Sequence, residues 1–316
     1  MRSSLLATLW CLCAIIPAGA AAPAAPPVPL LWKACDADNC LYLLGSFHFL
    51  KPSDYPLSAD VEAAFADAER LVFEVPPQEM DSPALQRRIR AAAVRRDGRR
   101  LDDELAPAQD ARLSAWIHSN QAVLAEMGID RAGFQSLRPW YAGLIVTVVG
   151  LETAGMQPQL GMDRYFGNRA VDAGKPASGL ESGASQIALL SGMTPEEQRQ
   201  MLEEALDSAG RGDAEIIALH DAWRRGDIQA LAEGTLVGLR RDYPRLYKAI
   251  NADRNAAWVS DLEARLSTPG TDDHLVIVGA MHLLGSDGLV ERLRAKGHRV
   301  ERICSVCVAM PDGKPD

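Results

Sequence analysis

Two short segments near opposite ends of the chain constrain its fold more than anything else in the sequence. Leu43-Leu44-Gly45-Ser46-Phe47-His48-Phe49-Leu50 and Ile277-Val278-Gly279-Ala280-Met281-His282-Leu283-Leu284 share one pattern: an apolar run, then Gly-x-x-His, then two apolar residues. A short apolar run bounded by Gly reads as a buried strand. The Gly lets the backbone turn sharply, which places the imidazole just past the strand's carboxyl end. In open α/β sheets ligands bind in the crevice at those ends. One such His alone would be read as satisfying a loop carbonyl; the repeated context is what argues for a shared site. His48 and His282 lie 234 positions apart, so meeting at one sheet edge requires a sheet assembled from both ends of the chain.

The flanking segments agree. Leu41–Gly45 is predicted to be a strand, Ser58 to cap a helix running to about Arg70, and Leu71–Val75 to be the next strand, stopped by Pro76-Pro77. Val61, Ala64, Phe65 and Ala68 give that helix one apolar face. This β-α-β unit implies parallel strands with a right-handed crossover. A second unit closes the chain: strand Leu275–Gly279, a helix from a Ser286 cap to Lys296 ended by Gly297, and strand Arg299–Ile303. Between them, residues 83–260 read as mostly helical, with Thr194-Pro195-Glu196-Glu197 as a helix start and one strand at Pro176–Leu180. The expected fold is α/β, a mixed, mostly parallel sheet built from both chain ends with a large helical insertion. Residues 30–310 would form one domain.

The first residues read as an export signal. Arg2 is followed by an apolar core from Leu5 to Ile16, Pro17, and Ala18-Gly19-Ala20 as an A-x-A cleavage site. Residues 21–29 would be an Ala/Pro linker. Cleavage leaves 296 residues and, with Arg2 gone, moves the net charge from −9 to −10. That acidity argues against a nucleic-acid partner, and no apolar run in the mature chain is long enough to span a bilayer. The cluster Arg87, Arg88, Arg90, Arg95, Arg96, Arg99 and Arg100 reads as a solvated face. The expected location is periplasmic or secreted. Four cysteines remain, Cys35, Cys40, Cys304 and Cys307, an even number that fits disulfides in an oxidising compartment with three pairings open. Cys35 and Cys40 flank the turn-rich Asp36-Ala37-Asp38-Asn39, which suits a hairpin closed by a local bridge. Cys304-Ser305-Val306-Cys307 follows a strand and so lacks the helix dipole that activates redox pairs. A local bridge, bridges to the other two cysteines, and a four-cysteine zinc site stay open for it.

Glu74 lies within an apolar strand, where a carboxylate is costly unless paired, protonated or bound to metal. A structural pair with an arginine such as Arg254 is the plain reading. Glu181 ends the isolated middle strand as the histidines end theirs. Two neutral imidazoles and a carboxylate are a common ligand set for a catalytic divalent metal, which would lower the pKa of a bound water, with a second carboxylate as base. Without metal, a His–Glu pair activates water directly. His118, His220, His274 and His298 read as ordinary. No H-E-x-x-H, G-x-S-x-G, P-loop or dinucleotide fingerprint is present.

In combination these segments resemble the TraB/PrgY/GumN family, which includes the Tiki proteins, in the erythromycin-esterase and ChaN-like group. Further matching blocks are Tyr55-Pro56-Leu57, Arg138-Pro139-Trp140, Gly161-Met162-Asp163 to Tyr165-Phe166, Gly174-Lys175-Pro176 to Gly179-Leu180-Glu181, Arg254-Asn255 with Trp258, and Gly288-Leu289 with Gly297. The resemblance runs over residues 30–303. It implies a metal-dependent protease using manganese or cobalt, zinc being a further option, with His48, His282 and Glu74 as ligands. Unlike the membrane-tethered Tiki proteins, this sequence ends in the polar Asp312-Gly313-Lys314-Pro315-Asp316. The expectation is an exported metal-dependent hydrolase of peptides or proteins. Glu181 would be base or fourth ligand, and Arg254 would orient a carboxylate or bind a substrate anion. Two alternatives stand beside it: a non-catalytic protein that sequesters a peptide, and a metal-free His/Glu esterase-like hydrolase.

Overall fold

The computed structural model of the chain describes residues 25–307. The proposed signal peptide, residues 1–20, lies outside them, as do 21–24 of the linker. Six strands form one sheet: β1 (Leu31–Cys35), β2 (Cys40–Ser46), β3 (Arg70–Phe73), β4 (Ala177–Gly179), β5 (His274–Gly279) and β6 (Val300–Arg302). Their order across the sheet is β4-β3-β5-β2-β1-β6. The pairs β2–β5, β3–β5 and β3–β4 are parallel, while β1 runs antiparallel to both β2 and β6. The expected α/β architecture is therefore present, with the C-terminal β5 inserted between the N-terminal β2 and β3.

The central strands are continuous apolar runs because both faces of the sheet are covered. Leu41, Leu43 and Leu44 of β2 and Leu275, Val276, Ile277 and Val278 of β5 are fully buried, each side chain contributing about 1.5–3 kcal/mol of transfer free energy. The Ala59–Asp67 helix packs Val61, Ala64 and Phe65 into this core, and Met162, Phe166 and Ala170 of the Met162–Ala173 helix join it. A second apolar cluster lies within the helical insertion, where Leu113, Ile117 and Phe134 meet Val146, Val149, Leu202 and Leu206. The Thr194 start is as read: its side chain accepts from the Glu197 amide at 3.2 Å and Glu197 reaches back to the Thr194 amide at 2.8 Å.

Several boundaries move. The last helix is Leu289–Ala295, with Gly288 rather than Ser286 at its N-cap. β3 ends at Phe73, so Glu74 sits just past the strand, not within it. Neither motif glycine adopts the left-handed conformation expected of a sharp turn; Gly45 continues β2 and Gly279 has φ −49°. Both are needed for room instead. A Cβ on Gly45 would crowd Ala280 and Leu30, each at 3.3 Å.

Cys35 and Cys40 face each other across the β1–β2 hairpin and are bonded; Cys304 and Cys307 form a second local disulfide. All four thiols are consumed, so there is no four-cysteine zinc site and no bridge between the pairs. Arg95 departs from the solvated cluster. It is buried, donating from both terminal nitrogens to Glu104 at 2.7 and 2.8 Å, whereas Arg87, Arg88, Arg90 and Arg96 are exposed.

Candidate functional site

The four parallel strands deliver one candidate residue each at the same end of the sheet. His48 follows β2, Glu74 follows β3, Glu181 follows β4 and His282 follows β5 on a short turn, Ala280–Leu283. Arg254, on the Asp253–Ser267 helix, reaches into their midst. All five residues proposed from sequence come together.

Arg254 is the hub. Nη2 donates to Glu74 Oε2 at 2.6 Å and to Glu181 Oε1 at 2.7 Å. Nη1 donates to His282 Nε2 at 3.1 Å and to the Ile250 carbonyl at 3.2 Å, and Nε completes the fork on Glu181 Oε2 at 3.5 Å. A guanidinium has five N–H donors, and all five are engaged. The arginine orients carboxylates, as expected, but keeps no donor for a substrate anion. Trp258 lies under both groups, its ring centroid 4.5 Å from the guanidinium carbon and 4.6 Å from the His282 ring.

The two imidazoles are held in different states. His282 Nδ1 meets Asn255 Oδ1 at 2.7 Å, so Nδ1 carries the proton and Nε2 is the acceptor for Arg254. This is the neutral tautomer. Burial, with Arg254 and His48 nearby, pushes its pKa down to about 4. His48 Nδ1 instead meets the Asp163 carboxylate at 2.6 Å. Chiefly through Coulombic attraction, Asp163 pulls the His48 pKa up to about 9 against the cost of desolvation. The His48 side chain is 57 % exposed while its partner Asp163 is 11 % exposed, so His48 is the site's solvent-facing group.

Glu74 is the most constrained carboxylate. Burial alone would raise its pKa, but the cations around it and the Gly279 amide, donating at 2.8 Å, hold it at about 2. At neutral pH that hold belongs to Arg254 and His48, because His282 is uncharged. Glu181 shifts the other way: burial raises it, only partly offset by Arg254. A Cβ on Gly279 would stand 3.2 Å from Glu74 Oε1, 3.6 Å from His282 Cδ2 and 3.8 Å from His48 Nε2. The three groups thus crowd one bare backbone position.

That crowding brings the right atom types for a metal together. Arg254, however, occupies acceptor positions of both Glu74 and His282, and its fixed positive charge stands where a cation would sit. Among the described residues, no group of three or more His, Cys, Asp or Glu side chains is arranged to hold a metal ion. In this arrangement the residues do not fit a divalent cation.

Two important residues carry no sequence-stated role, Asp163 and Asn255. Asp163 occupies the first turn of its helix, where an acid reads as a partner of the helix dipole, and this hides its contact with His48. The junction depends on Gly161. The Met162 amide donates to the Phe47 carbonyl at 3.0 Å, and a Cβ on Gly161 would fall 2.0 Å from the His48 carbonyl oxygen. The His48 turn is anchored from behind as well, by Trp223 Nε1 donating to the Gly45 carbonyl at 3.0 Å and by buried Asp54, shared between His220 and Arg224.

The model of the TraB/PrgY/gumN family matches residues 30–302. The uncharacterized protein YbaP of Escherichia coli (strain K12) is 24% identical over 268 residues, covering 83% of this chain and 92% of that protein. The YbaP protein of Shigella flexneri matches to the same extent. No solved structure matches.

Proposed function

The chain belongs to the TraB/PrgY/gumN family, and from that premise we propose that it is an exported hydrolase whose centre works by proton transfer between His48 and buried carboxylates. One observation carries the reading: the Asp163–His48 pair, 2.6 Å apart, presents an exposed imidazole beside carboxylates at the carboxyl ends of four parallel strands. A histidine fixed through Nδ1 by a carboxylate keeps Nε2 for chemistry. Because Asp163 raises its pKa to about 9, His48 rests protonated at neutral pH and donates a proton from Nε2 to the leaving oxygen or nitrogen. Glu181, with its basicity raised by burial, accepts the proton of the attacking water. Both groups shift upward, and their different resting charges, an imidazolium and a carboxylate of raised basicity, divide the acid and base roles. Glu74, His282 and Arg254 form the fixed polar floor.

Export is supported by the leader-like residues 1–20 and by two local disulfides. Among the described residues no helix is long and apolar enough to cross a membrane. Peptides head the list of substrates.

The test is turnover of fluorogenic peptide and ester panels by the purified mature chain, with and without chelator. His48→Ala and Asp163→Asn are expected to lower turnover by about 10²–10⁴-fold, and chelation to leave it unchanged. No turnover on either panel, or full turnover by His48→Ala, overturns the reading. Elemental analysis separates the metal-centred form, which requires Arg254 to release Glu74 and His282. A stoichiometric metal that is lost in His48→Ala and His282→Ala would establish that form instead.

A further inference from the structure

β4 is the edge of the sheet: β3 pairs with one side of it, and among the described residues no strand lies on the other. Its ladder to β3 runs through even-numbered positions, with the Leu71 amide donating to the Pro176 carbonyl at 2.9 Å and the Leu180 amide to the Phe73 carbonyl at 2.8 Å. By the alternation of a parallel ladder, the backbone groups of Ala177 and Gly179 face outward. Both residues are half-buried. Exposed edges of this kind template pairing with another extended chain, and β4 runs directly into Glu181, one turn from the polar centre.

Beside this edge lies a cavity of about 390 Å³ between the Pro77–Met80 and Met162–Ala173 helices. Its lining includes Pro77, Met80, Gly167, Asn168, Ala177 and Asp163. Ala177 belongs to the edge strand and Asp163 is the partner of His48, so one cavity touches both the free edge and the catalytic pair. Pro77, Met80, Ala170, Val171 and Ala177 give it an apolar wall, beside Gln78, Lys175 and the Arg164–Asp81 pair at 2.8 Å. A space of that size lies at the small end of ligand pockets and has room for a large side chain.

We propose that the substrate is an extended peptide that adds to β4 as a further strand, seating one large apolar side chain in the cavity beside Ala177. Main-chain bonds to Ala177 and Gly179 supply affinity and the cavity supplies selectivity, the division of labour in strand addition. Past the carboxyl end of β4 the peptide runs on toward Glu181, with His48 lying farther in, beyond β3 and β5. The inference rests on the hydrolase reading for what happens after docking, and not for docking itself.

The experiment screens a hexapeptide library with free ends against the full mature chain, then N-methylates each backbone amide of the best peptide in turn. Affinity is read as KM where the peptide is turned over and as Kd where it is not. N-methylation at alternate positions is expected to weaken binding by about tenfold while the intervening positions tolerate it. Ala177→Pro removes an outward N–H that the β3 ladder does not use and is expected to weaken the same peptide about tenfold. Circular dichroism confirms its fold. Asn168→Trp, from the exposed rim, is expected to shift the library preference to smaller side chains. A flat N-methyl scan, an unchanged affinity in Ala177→Pro, or no hexapeptide bound would overturn the inference. Alternation without turnover leaves the inference standing and removes the hydrolase. Turnover with a flat scan does the reverse.

Discussion

Replacing Gly161 with alanine exchanges one hydrogen for a methyl group at the junction between the His48 turn and the Asp163 helix. The new Cβ would stand 2.0 Å from the His48 carbonyl oxygen and 2.5 Å from its carbon, where ordinary contact begins near 3.4 Å. The two segments must therefore part by about 1.4 Å. Two hydrogen bonds span the same junction, the Met162 amide to the Phe47 carbonyl at 3.0 Å and His48 to Asp163 at 2.6 Å. Opened by that amount, both exceed hydrogen-bonding range. Overpacking costs about 1–3 kcal/mol and each lost bond about 1 kcal/mol. The expected destabilisation is thus about 3–5 kcal/mol, or a fall in Tm of about 5–10 °C. Urea unfolding measures the first effect, and nuclear magnetic resonance titration of the His48 ring measures the second. Its pKa is expected to drop from about 9 toward the unpaired value near 6.5. Gly192→Ala is the control, since nothing lies within 4 Å of its added carbon. A Gly161→Ala chain with unchanged stability and an unchanged His48 titration would refute the steric argument.

Other perturbations follow from the same geometry. His48 has a raised folded pKa, so its pair with Asp163 stabilises fully below pH 6.5, and that contribution is lost as pH rises through about 9. Asp163→Asn is expected to flatten this alkaline limb in urea series run from pH 6 to 10. The acid limb has two components. The unfolded chain protonates His282 first, removing stability from pH 6.5 down to about 4, and Glu74 removes more as pH falls from 4.5 through about 2; Glu74→Gln is expected to suppress the lower part in unfolding curves against pH. Arg254→Met strands two buried carboxylates, with an expected cost of about 3–5 kcal/mol by denaturant unfolding. Arg254→Lys should recover only part, because a point charge cannot replace the fork. The double variant Cys35→Ser/Cys40→Ser opens a short loop and is expected to cost about 2 kcal/mol in thermal unfolding, without moving the His48 titration.

What the sequence disclosed was periodic or local. The apolar runs of β2 and β5 announce burial on both faces, and Gly-x-x-His repeats in the same frame, so the meeting of His48 and His282 is legible. Glu74 stands out because a charge follows Leu71-Val72-Phe73, and a buried carboxylate needs a cationic partner such as Arg254. Asp163 was not legible as a partner, since its contact with His48 depends on the angle at which a helix meets a loop 115 residues earlier. Nor was the saturation of Arg254. Residue types tell that a guanidinium is near carboxylates, but only the folded geometry shows that all five of its donors are engaged, which is what sets this arrangement against a bound cation. Gly161 and Gly279 show the same limit, since each is needed for the space it leaves and not for the dihedral angles it allows.

The five bonds of Arg254 also have a temporal meaning. They reach Glu74 across 180 residues, Glu181 across 73 and His282 across 28, and the last of these follows β5, which lies between β2 and β3. Contacts of such long range are made late in folding, after the entropy of closing those loops has been met. A chain synthesised only as far as the Asp253–Ser267 helix therefore lacks the His282 arm of the cluster. The complete cluster exists only once β5 is in place and its His282 has joined the carboxylates around Arg254.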